Sequence, residues 1–142
     1  MANWYGTTRT NYFKVTDEER YQALFNRLTG EEPIEDFTTE NNGEIWHGFG
    51  AYCDISLLKE SAEDNEEDLE DYDTLLKEIS KLLTPDSVFV ITCVGNEKLR
   101  YLTGICDIAF PDGKIIHEDL AAFAHRAVKD YFGQDYVLYL DF

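Results

Sequence analysis

Apolar residues recur along this chain with two periods, and each switch between them marks a new element. Residues 8–15, "TRTNYFKV", mix aromatic and β-branched side chains and predict a strand. Thr16 then opens "TDEE", which reads as a capping box in which the Thr16 hydroxyl and the Glu19 carboxylate each satisfy a free N–H of the first turn. Tyr21, Leu24, Phe25 and Leu28 follow at helical spacing until Gly30, predicting the first helix. "DFTTE" and "EIWHGFGAYCDISLL" flank Asn41, Asn42 and Gly43, residues that accept the positive φ of a tight hairpin. From Leu69, apolar residues recur at Tyr72, Leu75, Leu76, Ile79, Leu82 and Leu83, a second amphipathic helix that ends at Thr84, Pro85 and Asp86. "SVFVITCV" reads as a buried strand turned by Gly95 and Asn96, and "KLRYLTGICDIAF" returns as a long strand. Pro111, Asp112 and Gly113 then turn the chain into "KIIH". A third helix places Leu120, Phe123, Ala124, Ala127, Val128 and Tyr131 inward and closes at Gly133, and "YVLYLDF" reads as a last edge strand.

The resulting order is β-α-β-β-α-β-β-β-α-β. Tight turns between strands imply an antiparallel sheet, and amphipathic helices must bury their apolar stripes against one face of it, so the class is α+β in a single domain over residues 1–142. The repeated β-α-β-β unit suggests a ferredoxin-like or duplicated split arrangement. Leu24, Phe25, Leu28, Leu76, Ile79, Val90, Leu102, Ile108 and Phe123 are the expected core.

Charge changes the picture more than composition does. With 44% hydrophobic and 14% aromatic residues the chain can build a core. Its 12 Lys and Arg against 29 Asp and Glu give a net charge of −17, which opposes direct binding to nucleic acid or an anionic membrane. Residues 31–89 hold three basic and 18 acidic groups, so the acidity belongs to the middle of the chain. The N-terminal stretch "MANWYGTTRTNYF" has no apolar run of signal-peptide length. Three widely spaced cysteines, with Cys93 and Cys106 inside apolar runs, fit reduced thiols, two of them buried, in a cytoplasmic protein.

The motifs that could carry chemistry are incomplete. "GFGAYC" begins like a dinucleotide-binding loop, but Cys53 replaces the third glycine and no helix follows, so a close strand approach explains it better. His117 and His125 stand eight residues apart, about 12 Å along a helix, too far to share one metal. Asp64, Glu66, Asp68 and Glu70 alternate as in a calcium loop, but Leu69 stands where that loop needs glycine. Cys53 is the one thiol outside a clear core strand, and His47 lies about 20 Å from it along an extended strand. With no nucleophile–base–orienter set in view, the expectation is no enzyme, no catalytic residue, no metal and no cofactor. Trp4, Tyr5 and Trp46 are the aromatics expected to face outward.

What remains is "ESAEDNEEDLEDYD", residues 60–73, with nine carboxylates (Glu60, Glu63, Asp64, Glu66, Glu67, Asp68, Glu70, Asp71 and Asp73) and no Lys or Arg. Carboxylates at a helix start favour the positive end of its dipole, which accounts for Glu66 to Asp71. Nine in 14, with Glu31, Glu32, Glu35, Asp36, Glu40 and Glu44 upstream, exceed that need and resemble the charge spacing of a nucleic-acid backbone. The stretches "RTNYFKVTDEERYQALFNRL" and "GNEKLRYLTG" resemble small acidic accessory proteins of phages and conjugative elements. That resemblance implies an antirestriction or anti-CRISPR type of inhibitor, a nucleic-acid mimic that binds a basic, nucleic-acid-handling host protein. It assigns no residue a role. The alternative is a protein-interaction or scaffolding domain whose acidity serves only solubility.

Overall fold

Period-two alternation along the strands gives the main sheet one dry face and one wet face. The computed structural model describes residues 5–60 and 68–139. Its elements are β1 (Tyr5–Thr10), α1 (Glu18–Phe25), β2 (Leu28–Thr29), β3 (Glu35–Asp36), β4 (Thr39–Asn41), β5 (Glu44–Trp46), β6 (Phe49–Tyr52), β7 (Ser56–Leu57), α2 (Tyr72–Leu82), β8 (Phe89–Glu97), β9 (Arg100–Ala109), β10 (Ile115–Asp119) and α3 (Leu120–Phe132). Six strands form one sheet in the order β10-β9-β8-β1-β6-β3, and every pair in it is antiparallel. This is an α+β fold. A split β-α-β repeat would set a parallel neighbour beside β1, whereas both neighbours of β1 here are antiparallel. No helix among the described residues is long and apolar enough to cross a membrane.

The dry face carries Phe49, Ala51, Phe89, Ile91 and Ala109, and helices α1 and α2 cover it through Tyr21, Leu24, Leu75, Leu76, Ile79 and Leu82. Phe13 closes the core just beyond β1. The "TNYF" stretch works as a splice there. Phe49 N–H donates to the Thr10 hydroxyl at 3.0 Å, and the Asn11 amide donates to Val88 O and accepts from Val90 N–H, both at 2.8 Å. Gly50 lies where an added Cβ would stand 2.9 Å from the Thr8 carbonyl oxygen, so close strand approach accounts for the "GFG" glycines.

Several local expectations shift. The N-cap of α1 is Asp17, whose carboxylate accepts from Arg20 N–H at 3.1 Å, not Thr16. Thr16 is drawn instead to the end of α2, where its N–H and hydroxyl both reach Leu82 O. The second helix starts at Tyr72 because Leu69 pairs with Leu58 in a β-bridge and Glu70 N–H donates to Leu57 O at 2.7 Å. Asp68 and Glu70 therefore lie along β7 rather than in a helical turn, and the dipole account of Glu66 to Asp71 fails for them. Pairing of Tyr5 with Asn96 and Gly6 with Gly95 keeps β8 extended, moving the turn to Lys98, at φ 55°, and Leu99. The hairpin at Asn42 and Gly43 stands as expected, with φ of 54° and 79°. Residues 136–139 form no strand, and the rest of that expected strand lies outside the described residues.

Of the expected core, Leu24, Leu28, Leu76 and Ile79 are buried, and Phe25, Val90 and Ile108 are half-buried. Leu102 and Phe123 are exposed, at 48% and 58%. Leu102 lies on the sheet face opposite α1 and α2, and α3 leaves Phe123 outside. Cys93 and Cys106 are half-buried rather than buried. Tyr5 is exposed as expected, Trp46 is half-buried beneath the Lys14 ammonium, and Trp4 lies outside the described residues.

Two stability outcomes follow from this core. Leu76→Ala removes a wholly buried side chain and should cost about 3 kcal/mol in a denaturant titration. The Tyr21 hydroxyl is buried with no hydrogen-bond partner among the described residues, and burial with the Asp36 and Glu18 charges pushes its pKa above the usual range. Tyr21→Phe should therefore leave stability unchanged or raise it by about 1 kcal/mol, since an unpaired buried polar group is removed without loss of packing. A loss of more than about 1 kcal/mol on Tyr21→Phe would show that the hydroxyl has a partner.

Candidate functional site

Helix α2 is shorter than the strands it covers, and its N-terminus stops before the far end of the dry face. There Thr8, Cys93, Ile105 and Asp107 form the floor of a cavity of about 570 Å³. Ile55 and Tyr72 form one wall, and Ala122 of α3 forms another.

The polar groups of this cavity form two hydrogen-bonded sets and a remainder. Asp107, only 3% exposed, accepts from His117 Nδ1 at 2.6 Å and from the Tyr72 hydroxyl. Burial and the Asp107 carboxylate push the Tyr72 pKa above its usual range. The other ring nitrogen of His117 faces Asp73 Oδ1 at 3.3 Å. At the rim, Arg126 donates through both guanidinium NH2 groups to the two oxygens of Glu118, at 3.0 and 2.6 Å, which holds the Glu118 carboxyl below its usual range. Asp54 and Asp119 are left over. Asp119 caps α3 by accepting from Ala122 N–H at 2.6 Å, and neither carboxylate has a cation within ion-pair distance among the described residues.

Both acidic parts of the chain come close to this cavity, residues 60–73 through Asp73 at His117 and residues 31–32 beside Asp54. Gly30 packs against the Asp54 carbonyl, which brings Glu31 and Glu32 beside it, and Glu31, Asp54 and Glu32 all act on the Cys53 thiol. Burial pushes that thiol up, and these three charges add to the effect, so Cys53 is held as a thiol and not as a nucleophilic thiolate. His47 is engaged elsewhere: it is buried, faces Glu18 at 2.6 Å and Thr38 at 3.0 Å, and lies against the Tyr21 ring.

Of the nine acidic positions expected to meet a partner, five are described. Glu60 and Glu70 both face Arg27, at 3.7 and 4.0 Å, while Asp68 and Asp71 carry no ion pair among the described residues. Asp73 alone touches the cavity's polar network, through His117. Glu63, Asp64, Glu66 and Glu67 lie outside the described residues. Upstream, Glu31, Glu32, Glu35, Asp36, Glu40 and Glu44 are all exposed, and among the described residues only Glu44 of these faces a cation, Lys14 at 3.7 Å. Sequence reading missed Asp54, Asp107 and Asp119. The one signal for Asp107 was a lone carboxylate inside the apolar run "GICDIAF", opposite a histidine across a Pro-Asp-Gly turn.

Among the described residues, no group of three or more His, Cys, Asp or Glu side chains is placed to hold a metal ion. No protein-family model, no curated protein and no solved structure matches the chain.

Proposed function

We propose that this chain is a non-enzymatic, acidic binding protein that docks on a basic, nucleic-acid-handling protein and blocks its nucleic-acid channel. The observation that carries this reading is a pair of exposed carboxylates with no ion pair among the described residues, Asp54 and Asp119, at an apolar-walled cavity with members of both acidic stretches close by. A lysine or arginine of the partner fits such a site: the aliphatic stem lies along Ile55, Ile105 and Ala122 while the cation meets the carboxylates. The exposed acids around it supply the long-range attraction that speeds the encounter of a −17 protein with a basic one. The same charge opposes direct nucleic-acid and membrane binding. Three free thiols fit the reducing cytoplasm, and the resemblance to accessory inhibitors of mobile elements points the same way.

A second reading keeps the chain as an interaction or scaffolding module that binds through apolar surface, with the acidity serving solubility. The exposed aromatics of the C-terminal third favour it.

Salt and charge separate the two. Capture of partners from a host lysate is compared for the native chain, for Asp54→Asn with Asp119→Asn, and for a variant with Glu63, Asp64, Glu66, Glu67 and Asp68 changed to Gln or Asn. Asn is a good helix cap, so Asp119→Asn keeps α3 while removing the charge. On the first reading both variants retain their melting temperature but lose more than about tenfold in affinity, and native binding weakens steeply as salt rises, because exposed charges are screened beyond about 8–10 Å. Partner binding that survives both variants and high salt would reject the decoy reading and leave the apolar one.

A further inference from the structure

Helix α3 has the pattern of a buried helix and the exposure of an unpaired one. None of its 13 residues is buried. Leu120 is 67% exposed, Phe123 58% and Tyr131 82%, and Ala127 is exposed with them. These four positions, spaced by three, four and four residues, fall on one line along the helix. The half-buried residues Ala121, His125 and Val128 lie on a different side, so the seam from Phe123 to Tyr131 faces away from the chain's own body. α3 cannot swing round to bury it, because β10 ends at Asp119 and the helix begins at Leu120 with no linker. Leu120 is also lodged against Gly104, and Arg126 is clamped to Glu118. At the end of the helix Phe132 stacks on Tyr136 with ring centroids 4.6 Å apart, and beyond it Val137 and Tyr139 are exposed as well.

We propose that this seam pairs antiparallel with α3 of a second copy of the chain, giving a two-fold dimer. Three features of the seam select a second copy. The seam is self-complementary: large residues stand at both ends, Leu120 with Phe123 and Tyr131, and small ones, Ala124 and Ala127, stand between. An antiparallel two-fold sets Leu120 of each helix opposite Tyr131 of the other and Phe123 against Ala127, so that bulk meets bulk at the ends and ring meets methyl near the centre, where the backbones approach closely. The exposed area is also sufficient. At the exposures of Leu120, Phe123, Tyr131, Phe132 and Tyr136, the last three linked ring to ring, the patch comes to roughly 600 Å² per chain, the lower end of a standard stable interface. Charge agrees as well: the helix carries Arg126 and Lys129 against Asp130, a balance of +1, in a chain of −17. It is a surface on which two such acidic chains meet without strong repulsion, whereas a basic partner is drawn to the carboxylates elsewhere.

This dimer is independent of the proposed decoy function and is tested on the purified full chain alone. Sedimentation equilibrium over a concentration series should give twice the 16.4 kDa chain mass, falling to one on dilution. Ala127→Glu places a carboxylate at the centre of the seam and should raise the dissociation constant by more than about tenfold, since a buried, unpaired interfacial charge is strongly unfavourable. Ala127 is exposed within the chain, so its circular dichroism spectrum and melting temperature at low concentration should not change. Leu120→Glu, at the end of the seam, gives a second reading. A chain that sediments as a monomer at every concentration overturns the proposal. So does a dimer that both variants leave intact, since it would then use another surface.

Discussion

The ring of Phe13 meets those of Tyr21, Phe49 and Phe89 edge-on, at centroid distances of 5.7, 6.3 and 5.1 Å, and no part of it reaches solvent. Such T-shaped contacts contribute about 0.5–1.5 kcal/mol each beyond the area they bury. Their larger effect here is geometric. Tyr21 belongs to α1, Phe49 to β6 and Phe89 to β8, so one side chain between β1 and α1 fixes three elements that are distant in sequence. The backbone on both sides supports it: Phe13 pairs with His47 through two hydrogen bonds of 2.9 and 2.8 Å, and Asn11 ties into Val88 and Val90. With the first strand held this way, β1 becomes the centre of the sheet rather than an edge, and α1 and α2 have only one face to cover.

That arrangement leaves a geometric shortfall. An 11-residue helix spans about 16 Å, whereas strands of nine and ten residues run about 30 Å. α2 therefore buries Phe89, Ile91 and Ala109 and stops short of Cys93 and Ile105. A shorter pair of strands would leave no floor for the cavity, and a longer helix would fill it. The polar chemistry of the site follows from the same fact, since Asp107 lies where coverage ends: buried enough to require partners, open enough for His117 and Tyr72 to reach it from β10 and α2.

Local pattern carried most of the fold. The periods of α1, α2 and the β8–β10 meander were legible because each element has a one-sided environment, dry on one side and wet on the other. The shifted boundaries all mark a tertiary contact that outcompeted a local one: Thr16 prefers the carbonyl end of α2 to capping its own helix, Leu69 prefers a bridge to Leu58, and Gly95 is held in a strand by Gly6. The candidate site was far less legible. Its residues come from β1, β8, β9, β10, the approach to β7 and both later helices, with a register that no spacing in the sequence encodes. Charge density had drawn attention to residues 60–73, but density alone does not distinguish Asp73, which reaches the His117 network, from Asp68, which lies along β7.

The third helix shows where periodicity misleads. Its apolar stripe was read as inward-facing because, within one chain, an amphipathic helix ordinarily has only its own core to face. The pattern states that a surface must leave water and does not state whose surface covers it. Here the junction at Asp119 and Leu120 has no slack, the Asp119 cap and the Arg126–Glu118 clamp fix the first turns, and the seam is aimed outward. The residues that fix the helix also line the cavity, so the direction of α3 and the shape of the site are set by the same few contacts. Any partner that holds the seam will also hold the wall formed by Ala122 and Arg126.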